Sequence, residues 1–559
     1  MCNLKYKLLV KILLNVDNAG EKMSNIVRGT MLLTGATFIS KLIGMIYVIP
    51  FNALVGATGG TLFSLAYTPY NIFISLSTVG VPLAVSKFVS KYNAVGDYET
   101  GMRMFRTGMT LMVTTGIIAF LVLFFSADLL ATGMITNENA DELSRSDVAF
   151  VIKMVSFALI LIPAMSIVRG FFQGYNSMGP TAISQVIEQI VRIFFILAGS
   201  FVIVNILNGS VIAAVGFSTF AAFLGAVASC LVLYIYWQKR KPYIDKQRKQ
   251  QIYMYDISTS DMFKELFRYA GPFVLVGLAT PLYQLIDQFT FERAMVANGE
   301  GAIWSFSYSV VNFYGHKLVI IPVTIAIGLS LAILPAMTKA YTQNNKQLLK
   351  NQISQALQIV MFLILPAVSG LSLLSTEAYG ALFGLEKIAI SGELLAWYAP
   401  VGLFFGLFTV TSSILQGVNQ QRFAVVSLSA GVLVKVLLNI QLIYMFGAKG
   451  AIFGTALAAG IATILNLWRI RLATHFSYKS LLKQTTLIII FIAIMSGAII
   501  LGKYLLGMVV PNNRVGMIIT LIACVSLGGL VYLWLAYAST LLERVLGNRV
   551  RFLDKIFKR

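Results

Sequence analysis

Charge is scarce in this chain. Only 12% of its 559 residues are Asp, Glu, Lys or Arg, about half the share of an ordinary soluble domain. Acids are the rarer sign, 22 against 43 Lys and Arg, and His316 and His475 are the whole histidine complement. The three cysteines, Cys2, Cys230 and Cys524, are scattered, which excludes a disulfide framework and the paired spacing of a zinc site. There is no glycine-rich phosphate loop, no Ser/His/Asp set and no ligand cluster. Enzymatic chemistry, a metal and a cofactor are therefore not expected. A transporter lacking its own ATPase must draw on a coupling ion or on membrane potential.

What the chain has instead is apolar length, 58% hydrophobic residues. About 20 apolar residues cross a bilayer. Fourteen such segments can be read, near 29–53, 61–85, 107–127, 149–172, 181–205, 210–237, 267–290, 303–334, 353–376, 392–415, 422–446, 449–468, 484–506 and 515–539. The expected fold class is an all-α polytopic membrane protein. Residues 1–28 carry a basic start and a short apolar stretch, but no small-residue cleavage site precedes the first span. They read as a cytoplasmic arm, or as sequence upstream of a start at Met23.

The connections sort by charge. Lys87, Lys91, Arg103 and Arg106 follow segment 2, "QKRKPYIDKQRKQ" lies in the 238–266 connection, and Arg469, Arg471, Lys479 and Lys483 follow segment 12. The tail 541–559 is again basic. The alternate connections differ: those after segments 1 and 5 are uncharged, and the one after segment 3 holds five acids and one Arg. Basic loops stay cytoplasmic, so both termini are expected inside. That rule also accounts for the net charge of +21, and no nucleic-acid partner is expected.

The chain echoes itself. Gln173-Gly174-x-Asn176 recurs as Gln416-Gly417-x-Asn419, and Arg192 recurs as Lys435 at the same offset of 243 residues. Two six-segment lobes, 29–237 and 267–468, would then flank the 238–266 linker and be related by an axis along the membrane normal. Residues 469–540 form an additional helix pair. Transporters of this kind bind substrate between the lobes.

Cations inside spans are costly, so each needs a reason. The stretch "NFYGHKLVIIPVTIAIG" places His316 and Lys317 within 38 residues, between Glu300 and Lys339, that contain no other ionisable charge. Lys41 is followed by no charge until Lys87. Neither lysine has an acid in its own segment, so both are expected to line a cavity. Arg192 has Glu188 one turn earlier, a spacing suited to an ion pair. Lys435 has no acid in its segment and is also a cavity candidate. Lys87 and Lys91 are candidates for the inner mouth. Asp287 lies toward the outer end of segment 7. Because the deep charges are positive, the substrate should be an anion such as a phosphate or pyrophosphate.

"FISKLIGMIYVIPF", "GVPLAVSKFVSKYNAVGDYETG" and "YGHKLVIIP" resemble the MOP superfamily. Within it, residues 23–540 are similar to the MurJ-type lipid II flippases and to the polysaccharide and stage V sporulation protein B branch. The resemblance implies transfer of an undecaprenyl-pyrophosphate-linked peptidoglycan precursor from inner to outer leaflet of a bacterial plasma membrane. It implies pyrophosphate-binding cations at Lys41, within the Ser40-Lys41-x-x-Gly44 pattern, and at Lys317, within Tyr314-x-x-Lys317. It also implies a lipid-tail groove on the last two helices. Tyr47 and Val48 stand where many members have Arg-Asp, and His316 where an Asp precedes the cation. The rival readings are a flippase for teichoic-acid, capsule or spore-cortex precursors, a cation/drug antiporter, and a membrane scaffold for cell-wall synthesis machinery. Helix 1 lacks the carboxylate an antiporter needs, and a scaffold has no use for buried lysines.

Overall fold

The computed structural model describes residues 32–546 apart from 34, 38, 42, 79–80, 137–142, 252–257, 259, 263, 265–273 and 275. The expected arm 1–28, residues 252–257, 259, 263 and 265–266 of the expected linker, and the end of the tail lie outside these. Among the described residues every regular element is helical, and twelve stretches are long and apolar enough to cross a membrane. Segments 1 and 7 fall partly outside the described residues. What is described of them includes the apolar helix Gly35–Ile46 (α1) and Ala279–Ala297 (α10).

The first half continues with α2 (Val48–Thr78), α3 (Val81–Ala94), α4 (Tyr98–Phe125), α5 (Ala127–Met134), α6 (Arg145–Ser156), α7 (Ala158–Gly174), α8 (Met178–Phe201) and α9 (Val211–Arg248). The turn expected between segments 1 and 2 is compressed to one residue. Gly56, at φ 64° and ψ −165°, breaks α2 with no loop, a conformation open to glycine at little cost. At the other end of this half, α9 runs past residue 237 into the expected linker. Arg248 there donates to Glu99 Oε2 at 2.6 and 2.8 Å, which ties the helix end to the start of α4.

The second half holds α10, α11 (Trp304–Ser309), α12 (Gly315–Thr342), α13 (Lys346–Leu373), α14 (Ser375–Phe383), α15 (Ile388–Tyr398), α16 (Val401–Gly417), α17 (Gln421–Phe446) and α18 (Ala448–Thr474). A π turn, Val310–Tyr314, joins α11 to α12. The remaining pair, α19 (Lys479–Val509) and α20 (Arg514–Ala538), packs on α13 and α14, and a short α21 (Leu541–Leu546) ends the described chain.

The repeat is visible in backbone geometry. Asn176 and Asn419 both adopt a left-handed conformation, φ 56° and 60°. The next amides reach back across the turn, Ser177 to Phe172 O at 2.9 Å and Gln420 to Leu415 O at 2.7 Å. This is the six-to-one hydrogen bond that stops a helix, and Asn is the side chain that tolerates its left-handed position. The Gln-Gly-x-Asn echo therefore encodes the same helix stop at the ends of α7 and α16.

Packing separates the halves at one end only. The largest apolar core joins α2, α6 and α10 with α11 and the π turn. Toward the basic connections the cores are distinct, one around Val85, Phe105 and Phe171, the other around Met337, Ile353 and Leu415. The halves thus meet on the side of the uncharged and acidic connections.

At that side a small strap is shared. Asn52 Nδ2 donates to Phe383 O at 2.7 Å, while Arg514 donates to Ala381 O at 3.1 Å and Leu382 O at 3.0 Å. Glu377, on the same α14, pairs with Lys503 of α19 at 2.8 Å.

Candidate functional site

Four helices contribute one stripe each to a cavity of about 390 Å³ between the halves. α1 gives Ser40, Lys41, Gly44 and Met45, and α8 gives Gln185, Glu188 and Gln189. α7 gives Arg169 near its end. α12 gives Lys317, Ile320, Thr324 and Ile327, a three-four-three spacing that keeps all four on one helical face. Lys41 from the first half and Lys317 from the second are thereby brought to one cavity. Gly44 sets the closeness of the wall, since a Cβ there would lie 2.8 Å from Gln189 Nε2.

The cavity is electropositive. Three cations, Lys41, Lys317 and Arg169, line it with one carboxylate, Glu188. Arg169 consumes that carboxylate, donating to Glu188 Oε2 at 2.7 Å, to Ser229 Oγ at 2.8 Å and to Ser184 Oγ at 3.0 Å. Among the described residues neither lysine has an acidic partner within salt-bridge reach. Lys317 Nζ sits 5.9 Å from the Phe313 ring centroid, a weak cation–π contact. Ser40 Oγ is buried without a hydrogen-bond partner, which leaves it available to an entering ligand.

Above Lys317 the passage is closed by aromatics. Phe51, Phe63 and Phe313 pack at centroid distances of 5.1 to 6.4 Å, Tyr67 stacks on Phe63 at 4.3 Å, and Tyr314 packs on Phe313 and Phe383. Hydrogen bonds cross between halves beside the plug. Tyr314 OH donates to Gly56 O at 2.7 Å, Thr61 to Ser305 O at 2.6 Å, and Gln288 to Leu65 O at 2.9 Å. Along the polypeptide, the residues of 304–314 seal and the residues of 317–327 line the cavity. The π turn makes this change of role possible by rotating the helix register.

A family model for polysaccharide biosynthesis proteins matches residues 26–341, and a MatE model matches residues 308–441. The lipid II flippase MurJ of Bacillus subtilis (strain 168) is 44% identical over 531 residues, covering 94% of this chain and 98% of that protein. This chain belongs to the MurJ family of the MOP superfamily. Stage V sporulation protein B of the same organism is 23% identical, covering 78% of this chain and 81% of that one. Among solved structures, lipid II flippase MurJ in an inward closed conformation aligns with a TM-score of 0.63 at 17% identity, over 92% of this chain and 99% of that chain. An inward-facing MATE multidrug resistance transporter of the superfamily aligns with a TM-score of 0.62 at 15% identity, over 77% and 94%. The likeness to both structures is one of fold.

In this MurJ-family chain the other residues singled out by sequence fall in different places. Arg192 does not pair with Glu188. Its guanidinium donates to the Tyr67 hydroxyl and lies over that ring, 5.2 Å from the centroid, with its buried Nε unpartnered. It sits behind the plug, against Tyr67. Tyr47 belongs to the plug, 6.3 Å from Phe51. His316 turns away from the cavity, its Nδ1 2.6 Å from Tyr398 OH.

Lys435, expected at the cavity, is instead wholly enclosed in the second half. Its Nζ donates to Asp287 Oδ2 at 2.8 Å and Thr455 Oγ1 at 2.6 Å, and Asn439 donates to Asp287 Oδ1 at 3.0 Å. Asp287 is correspondingly buried, at 2% exposure, and is not peripheral. The partner was hidden because it lies 148 residues away, on α10. Lys87 and Lys91 are exposed near the end of α3, packed over Phe88 and Tyr92, and do not line the cavity. Arg169 was overlooked because it stands near a helix end, where arginine is unremarkable. Its one available signal was its place in "RGFFQG", a turn before the Gln-Gly-x-Asn helix stop.

Proposed function

We propose that this protein is a lipid II flippase. It carries an undecaprenyl-pyrophosphate-linked peptidoglycan precursor from the inner to the outer leaflet of a bacterial plasma membrane by alternating access. The observation that carries the reading is the convergence of Lys41 and Lys317, from opposite halves, on one cavity with an unpartnered Ser40. Two ammonium groups held by different halves can bridge the two phosphates of one pyrophosphate, each phosphate receiving a charge-assisted hydrogen bond.

The side bearing the basic connections is cytoplasmic by the charge rule, so the cavity faces inward and the aromatic plug closes the outer end. Bound pyrophosphate draws the halves together across Lys41 and Lys317, and the head group extends from the cavity toward the inner side. Closure there and parting of the plug expose the substrate outward. The prenyl chain stays in lipid, with α19 and α20 as its track. Fourteen spans, two lobes related along the membrane normal and cytoplasmic termini complete this arrangement.

Membrane potential supplies a drive without an ATPase. Two negative charges leaving across 100 mV release roughly 4.6 kcal/mol. The lysines recognise phosphate and not sugar, so the head group is assigned by kinship with MurJ, and a teichoic-acid or other polysaccharide precursor is the second reading. Complementation separates the two. A bacterium depleted of its lipid II flippase is supplied with this protein, and surface lipid II is read by external labelling. Restoration supports lipid II. Failure at full membrane abundance moves the substrate to another undecaprenyl-linked glycan.

A further inference from the structure

A second cavity, of about 470 Å³, lies away from the transport path, where α18 turns into α19. It is built by a short loop with fixed geometry. α18 stops at Thr474, His475 takes a left-handed φ of 52°, and Phe476 inserts into the second-half core at 6% exposure. Tyr478 OH donates to Leu467 O at 2.8 Å, which pins the loop to the end of α18. The wall carries Arg471, His475 and Lys479, together with Ser477. Among the described residues no carboxylate forms a salt bridge with Arg471 or Lys479. Arg469, two residues from Arg471, is by contrast bound to Gln420.

The remaining wall is apolar and faces outward. Leu472 and Leu482 line the cavity at 48% and 63% exposure. From them a strip of exposed apolar side chains runs along α18 through Trp468 and Ile464 and along α19 through Ile489. A soluble anion would need only the cations. A cationic pocket that opens onto two apolar helix faces at the membrane surface suits a ligand with a phosphate head and acyl chains.

We propose that this cavity binds an anionic phospholipid, its phosphate held by Arg471 and Lys479 and its chains lying along α18 and α19. The site is separate from the Lys41–Lys317 cavity and stands whether or not the flippase reading holds.

Trp468 provides the readout, because it is 52% exposed and one turn from Arg471. The full-length protein is placed in phosphatidylcholine nanodiscs, and brominated phosphatidylglycerol or brominated phosphatidylcholine is titrated in. A Trp468→Phe protein subtracts the signal of the other tryptophans. Wild type should prefer phosphatidylglycerol, and Arg471→Ala/Lys479→Ala should weaken that preference by up to about thirtyfold, since each surface cation contributes about one factor of five. Lys239→Ala/Lys241→Ala, which removes equal charge elsewhere, and Lys317→Ala should leave it intact. Should the double variant be poorly folded, Ser477→Glu, which adds an acid to an exposed position, must lower the preference instead. An unchanged preference in the Arg471/Lys479 variant overturns the proposal. So does equal loss in the Lys239/Lys241 control, which would mark general surface attraction. Abolition by millimolar inorganic phosphate would make the cavity a soluble-anion site and overturn the lipid assignment.

Discussion

Lys317→Ala separates a binding role from a structural one. The ammonium lies in a cavity with no acidic partner among the described residues. Removing it therefore takes only a weak cation–π contact from the empty protein, whose thermal stability in detergent should be nearly unchanged. In the loaded protein it removes one charge-assisted hydrogen bond to phosphate, worth about 1.5 to 3 kcal/mol. Substrate affinity should then fall about tenfold to 150-fold. Lys317→Arg keeps the charge and should retain most transport. The assay is surface lipid II in cells depleted of their own flippase, with all variants at matched membrane abundance, beside an unfolding curve for each purified protein. Lys317→Ala that transports like wild type would refute the account of the cavity. Lys317→Ala that loses stability and transport together would make the lysine structural.

Lys435→Ala should behave in the opposite way. It leaves Asp287 buried and unpaired, at a cost of about 3 to 5 kcal/mol, so the unfolding temperature should drop, and adding Asp287→Ala should restore part of it. At Gly60 a Cβ would meet the Tyr314 ring at 2.3 Å. Gly60→Ala should loosen the aromatic plug, and a cysteine placed at Met45 should then react faster with an impermeant thiol reagent applied outside. In proteoliposomes, transport should accelerate when an inside-negative potential is imposed across outward movement and slow when it is collapsed; indifference to potential would point to a coupling ion.

Long helices and the paired helix stops were legible because apolar length and helix-stop chemistry are local. Asn176 and Asn419 announce their turns through the residues beside them. Lys41 and Lys317 were legible for a related reason, since an isolated charge within a long apolar run needs no partner to be noticed. Pairing was not legible. Glu188 stands one turn from Arg192, yet its carboxylate is taken by Arg169 from another helix, and Lys435 finds Asp287 on α10. A single sequence carries helical spacing but not which helix lies alongside. The plug escaped notice because phenylalanine and tyrosine are ordinary in spans; only their convergence from α2 and the π turn gives them a role.

The strap at Ala381–Phe383 is held unequally from its two sides. Among the described residues one hydrogen bond, from Asn52, links it to the first half, whereas Arg514 of α20 holds it through two hydrogen bonds and Lys503 of α19 pairs with Glu377 on the same α14. Under load the weaker side yields. In the proposed opening of the outer end, the Asn52 bond is the one expected to break, leaving α14 with the last two helices. On the proposed cycle, α19 and α20, the proposed track of the prenyl chain, would then travel as passengers of the second half.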